Sequence, residues 1–261
     1  MIRKALVVLS GGQDSTTCLF LARTQYDEVY TVTYDYGQRH AVELESAAKV
    51  AQLAGVKEHV VVKLGSVLQG SSPLVSNELL EQYPDMYSLP GGLEKTFVPG
   101  RNLLFFTLAA NHAHARGIVD IISGVCQEDS GGYPDCRAEF VDATQQAIRL
   151  GLGYDDNDLF RTHFRIITPL MYLTKAESVK LAWSIPGCWD ALAYSHTAYD
   201  GAYPPIGNDH ATLLRAKGFL EAGFPDPLVV RAVRTGLMQY PETPNYERSR
   251  DVKDTKIDTQ A

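Results

Sequence analysis

The sequence predicts an α/β protein built on a doubly wound parallel sheet, with a small C-terminal helical or loop extension. Short apolar runs alternate with longer helix-like segments through the first two-thirds of the chain, a pattern typical of parallel strands joined by right-handed helical crossovers. A glycine-containing turn at residues 10–15 directly follows the first apolar run. The length of 261 residues and the hydrophobic content of 45% are sufficient for one full core.

Each element follows from these patterns in chain order. Five apolar runs of strand length predict strands at Ala5–Leu9, Val29–Thr33, His59–Val62, Ile118–Ile122 and Phe164–Ile167. Helical periodicity predicts helices at Ser15–Arg23, Val42–Ala54, Leu103–Arg116, Arg137–Leu150 and Ala176–Trp183. A helix between most successive strands is expected to make the sheet parallel.

The remaining segments are less regular. Residues 70–100 are rich in Ser, Pro and Gly, and their length favours a lid over a site. Residues 186–227 are rich in Gly, Pro and Tyr and include a short helical pattern at Ala211–Glu221. The sequence therefore predicts a catalytic domain at residues 1–185, a small extension at residues 186–240 and a polar, frayed tail at residues 241–261.

The composition favours a small-molecule substrate. With 24 basic and 31 acidic residues the net charge is −7, which argues against a broad cationic surface for nucleic acid. No apolar run approaches the length of about 20 residues that a membrane helix needs. The start of the chain lacks the pattern of an export signal, so we expect a cytoplasmic protein whose cysteines stay reduced, namely Cys18, Cys126, Cys136 and Cys188.

The turn Ser10-Gly11-Gly12-Gln13-Asp14-Ser15 has the features of a phosphate-binding loop. Glycines at the carboxyl end of a strand let the backbone approach an anion, and the N–H groups and dipole of the following helix favour phosphate. Hydroxyls of Ser10, Ser15 and Thr16 would add hydrogen bonds, and Asp14 would either cooperate with magnesium or cap the helix. The loop has neither the lysine of GxxxxGK[ST] nor the spacing of GxGxxG. An ordinary strand-to-helix turn with Ser and Asp as caps is the alternative.

On these residues the loop resembles the SGGxDS motif of the ATP pyrophosphatase family, whose members adenylate an oxygen and release pyrophosphate. The resemblance implies that ATP, with Mg2+, is bound by residues of the loop and the first helix, namely Leu9, Ser10, Gly11, Gly12, Gln13, Asp14, Ser15, Thr16, Thr17, Cys18 and Leu19. It also implies an adenine nucleotide alpha hydrolase-like fold.

Further motifs make the resemblance specific to one group within this family. The segments at residues 33–40, 96–102, 124–126, 133–137 and 214–219 are similar, in the same order, to those of the 7-cyano-7-deazaguanine synthases of queuosine biosynthesis. The resemblance implies a homodimeric carbon–nitrogen ligase that converts 7-carboxy-7-deazaguanine, ammonia and ATP into a nitrile. The acid would be adenylated and displaced to an amide, and the amide would be activated again and dehydrated.

The resemblance also implies roles for individual residues. Asp14, Ser15, Arg101 and Lys175 are expected to be catalytic, with the cations neutralising phosphates or the substrate carboxylate. Lys175 resembles a late lysine of the family that faces the triphosphate. Residues expected to bind the deazaguanine are Tyr36, Arg39, Phe97, Asn102, Gln127, Tyr133, Asp135 and Arg137, and Glu128 is an alternative acceptor. Simpler interpretations are surface charges for Arg and Lys, a turn at residues 133–135, and a helix cap at Asn102.

Two other sets of residues are not interpreted as reactive. Cys126 and Cys136 have no histidine beside them in the sequence, and the chemistry needs no covalent thiol step. His112 and His114 are two residues apart, which places them on different faces of a helix rather than on one metal.

The sequence departs from the family at its zinc site. Members usually place four cysteines where this chain has Ala198, Ile206, Asp209 and Thr212. Because structural zinc needs four N or S ligands, the substitutions argue against zinc here. A rearranged site from Cys188, His196, Asp209 and His210 has irregular spacing, and a small core of Tyr194, Tyr199, Tyr203, Pro204 and Pro205 is the favoured replacement.

Two alternatives to the nitrile-forming reaction stay open at this point. One is a related amidating ligase that acts on another acid or stops at the amide, and the other is a non-catalytic nucleotide-binding protein. A tRNA-modifying relative is disfavoured by the acidic charge. The source of ammonia is not defined by the sequence.

Overall fold

The computed structural model describes residues 2–37, 42–76, 78–127, 132–153 and 163–250, and Arg39 and Glu128 lie outside them. Five parallel strands form one sheet in the order β3-β2-β1-β4-β5. Their bounds are Lys4–Val8 for β1, Glu28–Asp35 for β2, Glu58–Lys63 for β3, Asp120–Ile122 for β4 and Arg165–Ile167 for β5. The predicted strands are confirmed, with shifts at their ends.

Helices cover both faces of the sheet, which confirms the predicted doubly wound α/β class. Their bounds are Gln13–Gln25 for α1, Val42–Ala54 for α2, Arg101–His114 for α3, Ala138–Gly151 for α4, Lys175–Ser184 for α5, Cys188–Leu192 for α6, His210–Ala222 for α7, Pro227–Arg234 for α8 and Glu247–Arg250 for α9. Short 3-10 turns occupy Pro134–Cys136 and Pro244–Tyr246.

The alternation of side chains along β1 produces two cores. Ala5 and Val7 pack into the core that contains α1, α2, α5 and α6, whereas Leu6 packs into the core that contains α3 and α4. Successive side chains of a strand point to opposite faces, so an uninterrupted apolar run is what a strand covered on both sides requires. The central position of β1 explains why its sequence is the most continuously apolar of the five.

The strand order places a switch point between β1 and β4. The chain moves outward from β1 through β2 to β3, and then returns to pair β4 with the other side of β1. In open α/β sheets a ligand crevice forms outside the carboxyl ends of the strands at such a point. The loop at residues 10–15 follows β1 directly and therefore lies at this crevice.

The segment after residue 185 contains helices that the sequence patterns did not predict. Only α7 was expected, whereas α6, α8 and α9 are new. Cys188, Leu192 and Phe219 belong to the same core as β1 and α1. The core thus continues past residue 185, where the sequence predicts a domain boundary, and that boundary stays a prediction.

Residues 70–100 contain neither helix nor strand in their described part, 70–76 and 78–100. They are nevertheless tied to the rest of the protein. The Tyr83 N–H donates to the Asn208 carbonyl at 2.9 Å, and the hydroxyls of Thr96 and Tyr133 are 2.5 Å apart. Of the residues described in this segment, Leu74 alone lines the central cavity. The lid function stays a prediction. Within the described part of the chain, no helix combines the length and apolarity needed to cross a membrane.

Candidate active site

A cavity of about 350 Å³ opens at the switch point of the sheet. It lies between the carboxyl ends of β1, β2 and β4, the first residues of α1, α3 and α5, and the segment around α7. Eleven of the residues predicted for the site line it, namely Leu9, Ser10, Gly12, Gln13, Asp14, Ser15, Tyr36, Arg101, Asn102, Tyr133 and Lys175. The fold therefore brings the first loop together with residues from three later motifs.

The loop at residues 10–15 leaves the start of α1 open. The helix begins at Gln13, and its N-cap Gly12 offers no side-chain hydrogen bond to the first turn. The capping roles considered for Ser and Asp are therefore wrong, since Gly12 is the N-cap and Asp14 is already the second helical residue. Uncapped N–H groups at a helix N-terminus form an anion-binding position.

Glycine is required where the loop meets α2. Gly11 has a φ of +86°, and a Cβ there would lie 2.7 Å from both the Ala47 nitrogen and the Glu43 oxygen. Gly124, after β4, is similarly close, because its Cβ would lie 2.9 Å from the Asp14 carbonyl carbon and from the Ser15 nitrogen. Two glycines from different motifs thus allow the backbone to close around the loop.

The hydroxyls of the loop are partly engaged with its own backbone. Ser15 Oγ lies 3.0 Å from Ser10 Oγ and 3.2 Å from the Gly12 carbonyl oxygen. Thr16 and Thr17 donate to carbonyls one turn earlier and are fully buried. Several residues of the predicted ATP site lie behind the cavity wall rather than on it, namely Gly11, Thr16, Thr17, Cys18 and Leu19.

Asp14 and Lys175 form the central ion pair of the cavity. Lys175 Nζ donates to Asp14 Oδ2 at 2.7 Å, although the two residues are 161 positions apart in sequence. The second oxygen, Asp14 Oδ1, is buried and has no hydrogen-bond partner in the described residues. An unpartnered buried carboxylate oxygen is an open position for a cation or a donor from a ligand.

Arg101 begins α3 and is surrounded by tyrosines. Burial alone would lower the pKa of its guanidinium, but nearby Tyr36, Tyr133 and Tyr199, together with Asp135, raise the pKa above its ordinary value. The side chain is therefore a permanent cation inside a largely aromatic wall. Such a group is suited to a carboxylate or phosphate oxygen of a ligand.

Asn102 is oriented by residues 135 and 136. Asp135 Oδ2 accepts from the Asn102 backbone N–H at 3.3 Å, and Asn102 Nδ2 donates to the Asp135 carbonyl at 3.1 Å. The alternative of Asn102 as the helix cap is wrong, because Gly100 occupies that position. Asp135 Oδ1 is buried without a partner among the described residues, and burial raises the pKa of this carboxyl despite Arg101 nearby.

Four of the described residues predicted to bind the substrate do not line the cavity, namely Phe97, Gln127, Asp135 and Arg137. Phe97 packs with its ring centroid 5.6 Å from that of Tyr133. Gln127 is exposed and accepts a hydrogen bond from the Ala138 N–H at 3.3 Å, while Arg137 is exposed just before α4. The roles predicted for these residues stay predictions.

The cavity also contains residues that the sequence patterns did not select for it. Glu43 on α2, Tyr199 in the loop before α7, and His196, His210 and Arg215 all contribute to its wall. Burial raises the pKa of Glu43 to about 7, although Arg101 acts in the opposite direction. The one available sequence signal was the concentration of Tyr and His at residues 194–210.

The segment that lacks the cysteines is held by hydrogen bonds. Asp209 caps α7 by accepting from the N–H groups of Ala211 and Thr212 at 3.0 and 3.2 Å, and Thr212 Oγ1 donates to it at 2.7 Å. Arg231 donates to the Tyr203 hydroxyl at 2.8 Å. Among the residues that the structure describes, no cluster of three or more His, Cys, Asp or Glu is placed to hold a metal.

A parallel sheet with an uncapped glycine loop at its switch point, an Asp–Lys pair and a buried arginine defines a class of α/β enzymes that act on a phosphorylated ligand. Within that class the chain belongs to the family described as queuosine biosynthesis protein QueC, whose model matches residues 4–223.

Curated relatives are similar over most of the chain. A 7-cyano-7-deazaguanine synthase from Gloeobacter violaceus is 53% identical over 229 residues, which are 87% of this chain and 96% of the relative. The synthase from Laribacter hongkongensis is 48% identical over 233 residues, with 87% and 94% covered. Among solved structures, a 4-thiouridine synthetase–RNA complex with bound ATP has a TM-score of 0.44 and 18% identity, with 83% of this chain and 53% of that chain covered.

Proposed function

We propose that the chain is an ATP-dependent carbon–nitrogen ligase that converts 7-carboxy-7-deazaguanine and ammonia into 7-cyano-7-deazaguanine. One observation carries the proposal: in a chain about half identical to named synthases, a single cavity joins the loop, the Asp14–Lys175 pair and Arg101. The same cavity supplies an anion-binding helix end and a second cation, which are the groups that an acid-activating reaction needs.

The reaction requires the acid oxygen to become a leaving group twice. A carboxylate oxygen attacks the α-phosphorus of ATP, the bond to the β-phosphate breaks, and pyrophosphate leaves. Ammonia then forms the C–N bond, AMP leaves with the electron pair of the C–O bond, and the nitrogen loses a proton. The amide oxygen then attacks a second ATP, so that pyrophosphate leaves and the nitrogen loses one proton. Departure of AMP with the electrons of the C–O bond and loss of the second N–H proton give the nitrile.

The loop and Lys175 are assigned to the phosphates. The N–H groups at the start of α1 would face phosphate oxygens, and the Lys175 ammonium would balance the charge that develops on pyrophosphate. Asp14 Oδ1 fits a Mg2+ ligand, because Mg2+ in such sites is held by one or two carboxylates together with phosphates. When bound, Mg2+ would neutralise phosphate charge.

We assign Arg101 and the aromatic side chains around it to binding of the acid substrate. The guanidinium would orient the carboxylate toward the α-phosphorus, and Tyr133 offers a flat surface for the bicyclic base. Asp135 lies behind Asn102, and its unpartnered Oδ1 would accept from the exocyclic amine of the base if a small shift exposes it. The other predicted contacts, from Tyr36, Phe97, Gln127, Arg39 and Arg137, are part of the same proposal.

Incubation of the purified protein with ATP, ammonium and 7-carboxy-7-deazaguanine tests the proposal, with products followed by mass spectrometry. We expect AMP, pyrophosphate and nitrile, with two AMP formed for each nitrile. Accumulation of amide, or AMP formation only with a different acid, would support the related amidating ligase. Absence of AMP under every condition would indicate a non-catalytic nucleotide-binding protein.

We further propose a cytoplasmic homodimer that works on small molecules and not on nucleic acid or membranes. Large apolar side chains on the surface support self-association, including Trp183 at 54% exposure and Ile206 at 69%. Light scattering coupled to gel filtration tests the oligomeric state, and a mass of one chain at micromolar concentration would contradict it.

A further inference from the structure

His196 lies in the loop between α6 and α7 and packs directly against the phosphate loop. Its backbone N–H donates to the Gly11 carbonyl at 2.8 Å, and its own carbonyl oxygen would lie 3.6 Å from a Cβ at Gly12. The residue is 6% exposed and contributes to the wall of the cavity. The backbone of His196 is thus held against the loop to which the phosphates are assigned.

One hydrogen bond defines the tautomer of this histidine. Nε2 lies 2.7 Å from the Ala198 carbonyl oxygen. Because a carbonyl oxygen only accepts, Nε2 carries the hydrogen and Nδ1 has the lone pair. Nδ1 has no hydrogen-bond partner in the described part of the chain, and it is not among the buried polar atoms that lack one, so solvent reaches it.

The loop that carries His196 is held on both sides by Arg215. Arg215 Nη1 donates to Ser195 Oγ and to Thr197 Oγ1, each at 2.8 Å. Asp226 neutralises the guanidinium through a buried contact of 2.6 Å from Nε. The residues on both sides of His196 are thereby held by one buried guanidinium.

The charges around the ring favour the neutral base. Burial lowers the pKa of His196, and although the Ala198 carbonyl raises it, Arg215 lowers it further. Asp200 and Asp209 act in the opposite direction, and the net pKa lies below the ordinary value. The ring is therefore unprotonated at neutral pH and ready to accept a proton.

The other carboxyl and imidazole groups on the described part of the wall are Asp14, Glu43 and His210. Asp14 is paired with Lys175, and the carboxyl of Glu43 is influenced by Arg101. The Nε2 atom of His210 lies 3.8 Å from a carboxylate oxygen of Glu94. His196 is thus the neutral acceptor placed against the phosphate loop.

We propose that Nδ1 of His196 accepts the proton that ammonia loses when it displaces AMP from the adenylated acid. The inference rests on the function proposed above. In this step the nitrogen lone pair forms the C–N bond, and AMP departs with the electrons of the C–O bond. One N–H proton passes to Nδ1, giving the neutral amide and an imidazolium that later releases the proton to solvent.

The test separates the two half-reactions in His196→Gln, with His114→Gln on the exposed side of α3 as the matched control. Adenylation is measured without ammonia, as the acid-dependent exchange of labelled pyrophosphate into ATP. Because adenylation releases no proton from a nucleophile, we expect exchange within about twofold of the unmodified protein. We expect kcat/KM for ammonia to fall about 100-fold or more, the usual effect of losing a general base.

The pH profile is a second readout. In the unmodified protein, the ammonia step should slow as pH falls through the pKa of His196, and this component should be absent in His196→Gln. Equal losses of exchange and ammonia transfer would indicate a structural role and overturn the inference, as would full activity of the variant. A lack of exchange in the unmodified protein would instead remove the proposed function itself, and the inference with it.

Discussion

At the scale of single residues, the cavity is notable for polar atoms that lack partners inside the protein. Asp14 Oδ1, Asp135 Oδ1 and both polar atoms of the Gln13 side chain are buried without hydrogen bonds among the described residues. Burial of such atoms costs free energy, about 1–3 kcal/mol each. Asp135 lies behind Asn102, whereas Gln13 and Asp14 line the cavity at the loop, which indicates that a ligand completes the hydrogen bonds of these two side chains.

The first prediction concerns the loop residues themselves. Asp14→Ala removes both the partner of Lys175 and the unpartnered oxygen, and Ser15→Ala removes the hydroxyl that bridges Ser10 and Gly12. We expect each variant to lose turnover by a factor of about 100 or more, because phosphate positioning depends on both. Circular dichroism should show an intact fold. Asp142→Asn, on the exposed side of α4, is the control, and near-normal turnover of both loop variants would exclude the loop from the mechanism.

The second prediction concerns Glu43, whose pKa burial raises from 4.5 to about 7. Between these two pH values the folded protein binds more protons than the unfolded chain, so the free energy of unfolding decreases as pH rises through this window. Glu43→Gln removes this dependence. Because the side chain keeps some exposure to the cavity, we expect the variant to gain about 1 kcal/mol over the unmodified protein at pH 8 and little at pH 4.5.

Urea denaturation at several pH values measures this difference. Glu45→Gln is the matched control, since Glu45 is exposed on the same helix. A constant difference between Glu43→Gln and the unmodified protein across the window would show that the carboxyl does not titrate there.

At the scale of elements, the position of Lys175 depends on how closely α7 packs on α5. A Cβ at Gly218 would lie 2.3 Å from Lys175 Cγ and 2.9 Å from its Cβ. The glycine therefore allows the close contact that directs Lys175 toward Asp14. This close contact explains why the 214–219 motif contains a glycine, Gly218, that does not line the cavity.

Gly218→Ala is accordingly predicted to displace Lys175 and break its 2.7 Å contact with Asp14. We expect kcat/KM for ATP to fall by about tenfold or more, with a loss of about 1–3 kcal/mol in stability from overpacking. Steady-state kinetics and thermal denaturation measure the two effects. Gly151→Ala at the end of α4, where a Cβ meets no atom within 4 Å, should change neither. Unchanged ATP kinetics in Gly218→Ala would contradict the positioning role.

The elements that the sequence predicted correctly are those with a local signal. The apolar run of β1, the glycines after it and the periodicity of α2 depend only on nearby residues, so α2 was predicted with its observed bounds, Val42–Ala54. By contrast, Glu43 and His196 line the cavity because segments distant in sequence pack together. No local sequence pattern predicts such packing. The start of α8 did carry a signal that was missed, since Pro227 stands at the first helical position after the N-cap Asp226, whose side chain accepts from the Leu228 N–H.

At the scale of the whole molecule, the C-terminal segment is stabilised without the four cysteines that members of the family usually carry. Asp209 and Thr212, which stand at two of the four cysteine positions, bond to each other at 2.7 Å, and Ala198 at a third is buried. We therefore expect elemental analysis of the purified protein to find no stoichiometric zinc, and prolonged chelation to leave the melting temperature unchanged. About one zinc per chain would refute this.

The buried pair of Arg215 and Asp226 connects that segment to the loop that carries His196. The two side chains are each 3% exposed, and Arg215 also holds Ser195 and Thr197 beside His196. Asp226→Asn leaves the guanidinium buried without a counter-charge, which typically costs about 3–5 kcal/mol. We expect a loss of that order in the free energy of unfolding, measured in urea.

Glu221→Gln provides the matched comparison, because Glu221 and Lys217 form an exposed pair at 4.0 Å whose loss should cost at most about 0.5 kcal/mol. The ammonia step should also slow in Asp226→Asn under conditions where the variant remains folded, since Arg215 would release the neighbours of His196. If stability decreases while the ammonia step is unchanged, the pair stabilises the C-terminal segment without positioning His196. If neither changes, the buried pair does not connect the two regions.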